Sequence, residues 1–138
     1  MNMADRVIKF RAWDEHRKIM IYKFDEKRWS KKSYRLIFSE ENEIHCGNYM
    51  DNGDWQEPKL MMFTGLKDKN GVEIYEGDIL FHEIDDCKQI VVYNYKTAAF
   101  KRAMTDHVLA LDFGVHTFKY VEVIGNIYSN YELLKFGN

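Results

Sequence analysis

Hydrophobic and polar residues alternate with a period of two along much of the chain, a pattern typical of half-buried β-strands. The first such run predicts a strand over residues 6–13, with Ile8, Phe10 and Ala12 on its buried face. A polar turn follows, and the β-favouring run 19–24 is the predicted partner in a hairpin.

The rest of the chain repeats this pattern of short apolar runs separated by turn residues. The further predicted strands are 34–38, 44–49, 60–63, 72–75, 79–81, 89–93, 98–100 and 121–128. Residues 107–113 could form a strand or a short helix, and their shortness and the following Gly114 favour a strand. Gly125 is a predicted bulge or point of close approach. A short helical turn over 131–134, capped by Ser129 or Asn130, is predicted to end the chain. Many short strands at close spacing indicate an all-β sandwich or barrel.

The longest uninterrupted motif is the run 64–80, which contains an Asn-Gly pair at Asn70 and Gly71. That pair is typical of a two-residue β-hairpin with a type I′ turn, because both central residues of such a turn have positive φ. At Gly77 and Asp78 a structural explanation suffices, since glycine allows a bend between strands and aspartate bonds its own backbone.

Composition and length are those of a single globular domain. The chain has 138 residues, 46% of them hydrophobic and 15% aromatic, and a single proline. We expect one β domain over 1–138, with amino-terminal strands and loops in 1–58 and a barrel core in 59–138. No apolar run has membrane-spanning length, and the amino terminus has no signal-like segment, so a cytoplasmic location is expected. Cys46 and Cys87 have no metal-binding or redox spacing and are expected to be reduced.

The net charge of −2 conceals an uneven distribution of charge. Residues 1–35 carry eleven Lys and Arg against five Asp and Glu, a balance of +6; residues 36–138 carry nine against seventeen, a balance of −8. Such a split indicates either a nucleic-acid surface or a basic segment that lies against an acidic surface of the same chain or of a neighbouring subunit. We favour the second interpretation, since nucleic-acid binding is usually accompanied by an overall basic domain.

Several clusters of titratable residues have the side-chain types of a chemical site. Metal ligation is conceivable for the run 82–87, which contains His82, Glu83, Asp85, Asp86 and Cys87. On a strand these side chains would alternate between two faces, so an exposed acidic turn is the simpler interpretation.

Two further places contain residue types suited to acid–base or nucleophilic chemistry. His107, Asp112 and His116 could exchange protons, and His45 adjoins Cys46. No serine or cysteine accompanies the first group, and neighbours along a strand face opposite sides. The sequence therefore predicts no catalytic, metal-binding or cofactor-binding residues.

Two kinds of binding surface remain. The basic loop 27–32, together with Lys67 and Lys69, could hold phosphates, with Trp29 stacking on a base. A surface for a partner protein would instead use aromatic residues, which concentrate binding energy at interfaces. The candidates are Trp13, Trp55, Tyr75, Tyr128 and Tyr131.

Three blocks of the chain resemble the YopX family of bacteriophage and prophage proteins. They are residues 9–14, 64–80 and 122–134. The last block has Tyr131 where the family often has proline, and 25–58 match no family pattern. The resemblance implies an all-β domain with an SH3-like barrel core and a phage-encoded protein of the bacterial cytoplasm, and it implies no activity.

These observations predict a non-enzymatic interaction module that self-associates and binds a phage or host protein. Two alternatives stay open: a nucleic-acid-binding barrel that uses the loop 27–32, and an enzyme built on His107, Asp112 and His116 or on the run 82–87. The interaction module is preferred because the sequence has a high aromatic content and a divided charge but no convincing catalytic group.

Overall fold

The computed structural model describes residues 6–25, 33–104, 110–114 and 117–135. Within them the fold is nearly all β, with antiparallel sheets, a curled half-barrel and a short 3-10 turn at the carboxyl-terminal end. The predicted all-β class is confirmed. The assignment of the half-barrel to the SH3-like type stays a prediction.

The chain forms two compact units. Unit 1 comprises Met1–Lys9 with Met62–Asn138, and unit 2 comprises Phe10–Met61. That the whole chain is a single domain with a division after residue 58 stays a prediction, and each unit is described separately.

Unit 2 contains two small groups of strands. Its strands are β1 (Phe10–Asp14), β2 (Ile19–Ile21), β3 (Arg35–Phe38), β4 (Ile44–Tyr49), β5 (Trp55–Gln56) and the beginning of β6 (Lys59–Lys67). β1 and β2 form the predicted hairpin, with Trp13 opposite Met20. β3, β4 and β5 form a three-stranded antiparallel sheet in that order. The predicted hairpin of 34–38 with 44–49 is therefore confirmed.

The prediction that β1 is half-buried is wrong. Strand structure begins only at Phe10, and Ile8 is 60% exposed. Four consecutive residues, Arg11–Asp14, are buried. Alternation fails because a polar side chain of this strand, Asp14, enters the interior, where hydrogen bonds and an ion pair satisfy it.

Unit 1 is built on a five-stranded antiparallel sheet. Its further strands are β7 (Glu73–Tyr75), β8 (Asp78–His82), β9 (Cys87–Asn94), β10 (Ala99–Met104), β11 (Ala110–Asp112) and β12 (Val121–Asn126), with 3-10 helices at Thr117–Lys119 and Tyr131–Leu134. The sheet order is β11-β10-β9-β8-β12, so β9 is the central strand. The core consists of Ile74, Leu80, Val91 and Val121.

The turn between β6 and β7 differs from the predicted type I′ turn. Gly71 has φ of 81°, whereas Asn70 is not among the residues with positive φ. Gly71 N donates to Asp68 O at 3.0 Å, and Asp68 N donates to Val72 O at 2.8 Å. This is a three-residue loop closed by a left-handed glycine. The two-residue turn is not formed because the Asp68 carboxylate accepts the N–H groups of Asn70 and Val72.

Two further turn predictions can be compared with the structure. Gly77 has φ of 87°, and the Asp78 carboxylate accepts the Tyr75 N–H at 2.7 Å, which confirms their structural role. The bulge in β12 is also confirmed, because the register shifts between Val123 and Gly125.

The predicted side-chain cap of the final turn is wrong. The 3-10 turn Tyr131–Leu134 is present, with Asn130 at its cap position, but that residue makes no side-chain capping bond. The Asn130 Oδ1 instead accepts the N–H of Asn126 at 3.2 Å. A Cβ on Gly125 would lie 2.6 Å from the same oxygen, so the bulge leaves room for this bond.

Candidate functional site

A buried carboxylate, Asp14, is at the centre of a polar network in unit 2. It is fully buried at the end of β1. Tyr34 Oη donates to Asp14 Oδ2 at 2.5 Å, and Gln56 Nε2 donates to the same oxygen at 3.1 Å. Arg17 binds Asp14 twice, through its backbone N at 2.9 Å and its Nη1 at 2.8 Å.

The guanidinium of Arg17 extends the network to β4 and the turn after it. Nη1 donates to Asn48 Oδ1 at 2.8 Å, and Nη2 donates to Tyr49 O at 3.2 Å and to Asp51 at 2.9 Å. Asn48 is fully buried and donates to Ser33 O at 2.6 Å. These bonds tie the β1–β2 turn to the three-stranded sheet, so we interpret the network as structural.

The network shifts the ionisation of its members. Burial opposes the charged form of Asp14, but the hydrogen bonds from Tyr34 and Arg17 outweigh it and hold its pKa below the ordinary value. Burial, reinforced by the Asp14 carboxylate, raises the pKa of Tyr34 to about 12. Asp14 is therefore an anion and Tyr34 a neutral donor at physiological pH.

The adjacent pair His45 and Cys46 does not form a nucleophile and base. Cys46 is buried, and its neighbour on β4 is half-buried with its ring 3.2 Å from Glu43. Burial and the nearby Asp14 carboxylate raise the pKa of Cys46 to about 12. Both cysteines are free thiols, as expected.

Cys46 is expected to resist alkylation in the folded protein. A pKa raised from 9.0 to about 12 lowers its thiolate fraction by about a thousandfold, and burial blocks access. In a Cys87→Ser variant, iodoacetamide should modify the remaining thiol at least a hundredfold more slowly in buffer than in denaturant, measured by mass spectrometry. A Cys46→Ser variant reports the half-buried Cys87 for comparison. Equal rates in buffer and denaturant would contradict the expectation.

The run 82–87 forms the turn between β8 and β9. His82 is buried and its Nδ1 accepts the backbone N–H of Asp85 at 3.1 Å, while the acidic side chains of the turn are exposed. Across the described ranges, no group of three or more His, Cys, Asp or Glu side chains could hold a metal ion. The structure thus places the acidic side chains of the run in an exposed turn, and the absence of a metal site there stays a prediction.

Other predicted candidates fall partly outside the described residues. These are the loop 27–32 with Trp29, and His107 and His116. Asp112 lies in β11, exposed and paired with Lys101. Lys69 donates to Glu83 at 3.0 Å and lies 4.0 Å from Glu122, so acidic neighbours offset its charge.

Unit 1 has an open cleft that sequence reasoning did not anticipate. Its volume is about 960 Å³. Phe63, Tyr93 and Phe100 contribute aromatic surface, with the rings of Tyr93 and Phe100 edge to face at 5.2 Å. Of its residues only Lys67 was a sequence candidate. The available signal was the position of Tyr93 and Phe100 on either side of a predicted hairpin turn, which makes them cross-strand neighbours.

Charged side chains line the rim of this cleft. Lys9 pairs with Glu73 and lies 4.8 Å over the ring of Phe63. Its hydrogen bond to Glu73 raises the pKa of Lys9. Arg6 and Lys67 also line the cleft. Neither has a carboxylate partner within the described part of the chain.

A second exposed surface lies on the outer face of the sheet β3-β4-β5. Trp55 and Tyr49 are each 40% exposed, opposite one another in register, with their rings edge to face at 5.1 Å. Gly47 lies beneath the indole, since a Cβ there would be 2.1 Å from Trp55 and 2.9 Å from Ile37. We call Ile37, Gly47, Tyr49 and Trp55 the aromatic face.

The structure exposes only some of the aromatic side chains that were candidates for a partner surface, and the partner surface itself stays a prediction. Trp13 and Tyr75 are each 4% exposed and belong to the core, so they were wrong candidates. Consecutive residues are buried along β1 and β7, so no period-two alternation in the sequence marks these two side chains as buried. Trp55 and Tyr131 are exposed, and Tyr128 is half-buried.

Among the described residues, no helix has the length and apolar character needed to cross a lipid bilayer.

Comparisons with known proteins agree with the resemblance seen in the sequence. The model of the family described as YopX protein matches residues 9–135. Protein EF1440 from Enterococcus faecalis, a crystal structure, is similar with a TM-score of 0.59 and 28% identity, over 95% of this chain and 100% of that one. Protein yopX from Bacillus subtilis is similar in fold, with a TM-score of 0.51 and 20% identity, over 91% and 97% of the two chains. No curated protein is significantly similar in sequence. Because the family model spans almost the whole chain, this protein belongs to the YopX family.

Proposed function

We propose that this chain is a non-enzymatic, phage-encoded β module of the bacterial cytoplasm that self-associates and binds a phage or host protein. The observation that carries the proposal is the aromatic face. Tyr and Trp are enriched among the residues that dominate binding energy at protein interfaces, and here two of them share one exposed sheet face with Ile37.

A second copy of the chain suits the aromatic face because charges of both signs flank it. Arg35 is opposite Gly47 in register. On the same sheet the ring of His45 lies 3.2 Å from Glu43 and 3.9 Å from Glu57. A twofold axis through the face would bring the basic side of one copy to the acidic side of the other, which gives a self-complementary interface.

The uneven charge of the chain is consistent with this arrangement, but the arrangement does not depend on the uneven charge. Within unit 1 Lys9 pairs with Glu73, and within unit 2 Arg17 pairs with Asp51. Part of the basic excess of residues 1–35 is thus neutralised within the chain. The remaining charge predicts an oligomer that weakens as salt screens attraction between copies.

Self-association through the aromatic face is testable by a matched pair of tyrosine variants. Tyr49→Glu adds a charge within the face, and we expect it to raise the dimer dissociation constant at least tenfold in sedimentation velocity experiments. Tyr95→Glu makes the same change in the β9–β10 turn, where the side chain is 80% exposed, and should leave association unchanged. Circular dichroism checks that both variants fold.

Two results would overturn this proposal. A wild-type chain that is monomeric at every concentration would exclude self-association. Equal weakening by Tyr49→Glu and Tyr95→Glu would exclude the aromatic face as its site. The alternative, nucleic-acid binding through the loop 27–32, requires an affinity that falls steeply with salt, and it is measured alongside with labelled DNA and RNA.

A further inference from the structure

We propose that the cleft of unit 1 binds an acidic peptide segment of the partner protein through one aromatic side chain and its flanking carboxylates. The proposal rests on the proposed function, because it names the chemistry of the partner that the module recognises. It concerns a surface separate from the aromatic face, which belongs to unit 2.

The size of the cleft suits a short peptide segment, and its lining suits one aromatic side chain of that segment. A volume of about 960 Å³ falls within the range of ligand sites in proteins, about 300–1,000 Å³. Phe63, Tyr93 and Phe100 offer ring faces and edges, against which an aromatic side chain gains about 0.5–1.5 kcal/mol beyond its buried area. Tyr93 is 45% exposed, so its ring is accessible before a ligand binds.

The wall of the cleft keeps this aromatic surface open. The ladder between β6 and β7 shifts register between Phe63 and Lys67, which removes Thr64 and Gly65 from regular pairing. Gly65 has φ of 87°, and a Cβ there would meet no atom within 4 Å. A peptide backbone therefore has free space beside the strand.

The charged side chains at the rim of the cleft favour a negatively charged ligand. Lys9 is already paired with Glu73, and Glu76 accepts the N–H of Met62 at 3.4 Å. The cations left without a carboxylate partner among the described residues are Arg6 and Lys67. They complement two carboxylates on a bound segment.

A short acidic peptide fits these charges better than a nucleic acid does. Glu73 and Glu76 both line the cleft and would repel a continuous row of phosphates. Unit 1 carries ten Lys and Arg against twelve Asp and Glu, a balance of −2 that offers no long-range attraction for a polyanion. Two or three carboxylates around an aromatic residue meet the cations without that penalty.

Fluorescence anisotropy with three labelled pentapeptides tests this inference. The probes are Glu-Gly-Phe-Gly-Glu, Lys-Gly-Phe-Gly-Lys and Glu-Gly-Ser-Gly-Glu, each with blocked termini. We expect the first to bind at least tenfold more tightly than the other two. Lys67→Glu should weaken its binding at least tenfold, whereas Lys119→Glu, an exposed lysine of unit 1 outside the cleft, should change it less than twofold.

A second variant separates lost contacts from altered charge. Phe100→Leu keeps an apolar side chain at the same position of β10 and should weaken binding of the Phe peptide while leaving the weak binding of the Ser peptide unchanged. Thermal denaturation confirms that each variant is folded.

Three outcomes would overturn the inference: equal affinity for the acidic and basic peptides, no effect of Lys67→Glu, or tighter binding of a labelled single-stranded DNA. Sedimentation of the same samples distinguishes this failure from failure of the proposed function. If Lys67→Glu still self-associates and Tyr49→Glu still binds the acidic peptide, the two surfaces act independently. A wild-type chain that does not self-associate would instead contradict the function proposed for the aromatic face.

Discussion

Replacing Asp14 with Asn is expected to lower the free energy of unfolding by about 3 kcal/mol, because breaking one side of a buried ion pair leaves the other side uncompensated. Asp14 accepts bonds from Arg17, Tyr34 and Gln56 in the interior of unit 2. In the variant at least one of these donors would face the amide N–H₂ group instead of a carboxylate oxygen, and its hydrogen bond would be lost. Urea denaturation followed by circular dichroism measures the loss.

Asp51→Asn is the matched control. Asp51 binds the same guanidinium at 2.9 Å, but its side chain is 80% exposed. Exposed ion pairs contribute about 0–1 kcal/mol, so this variant should stay within about 1 kcal/mol of the wild type. Similar losses in the two variants would show that burial of Asp14 does not determine the stability of the network.

The effect of Asp14 depends on pH in a defined direction. Its pKa is lowered in the folded protein from the ordinary 3.8, so its contribution is complete above that value and is lost as the pH falls through the lower folded pKa. The stability difference between the wild type and Asp14→Asn should therefore be constant near neutrality and shrink below pH 3.8. Tyr34 acts at the other extreme, since its contribution is complete below pH 10 and is lost as the pH rises toward about 12.

The strand pattern could be predicted because the strands are short and bounded by turn residues. β9 and β12 were located within about two residues, and the hairpins of unit 2 were paired correctly. β1 was misjudged because periodicity cannot tell an exposed polar residue from a buried one with a partner. The partners of Asp14 lie 3 to 42 residues away in sequence, so no local pattern marks them.

The binding surfaces were harder to predict than the strands. Trp55 was a candidate because of its residue type, but the aromatic face also needs Gly47, whose missing side chain makes room for the indole. The cleft combines Arg6 with Phe100, residues far apart in sequence whose proximity depends on the tertiary fold. Composition indicated many aromatics, and only the fold determined which of them are exposed.

Two of the three sequence blocks that resemble the family contain carboxylates that organise the backbone. Asp14 holds the β1–β2 turn, Asp68 holds the β6–β7 loop and Asp78 accepts the Tyr75 N–H. Tyr93 and Phe100 of the cleft lie outside these blocks. Lys9, Lys67 and Glu73 of the cleft lie inside the blocks, so the resemblance covers part of the cleft, whereas the aromatic face lies outside all three blocks.

Replacing Asp68 with Ala is expected to lower the free energy of unfolding by about 3 kcal/mol. The buried carboxylate accepts the N–H groups of Asn70 and Val72 at 2.8 and 2.9 Å, and its second oxygen accepts that of Val123 at 2.9 Å. It therefore joins the β6–β7 loop to β12. Each bond to a charged acceptor contributes about 1.5–3 kcal/mol, and water can reach the loop amides to compensate in part.

Asn94→Ala provides the comparison, because Asn94 makes the same kind of side-chain bond in the exposed β9–β10 turn. Its Oδ1 accepts one N–H, from Lys96 at 3.0 Å, so we expect a loss below about 1 kcal/mol. Hydrogen exchange locates the effect within the chain: in Asp68→Ala the Val123 amide should lose protection more than amides of β9 do. Equal losses of stability in the two variants, or unchanged exchange at Val123, would mean that the β6–β7 loop is held by Gly71 and the backbone bonds of the turn alone.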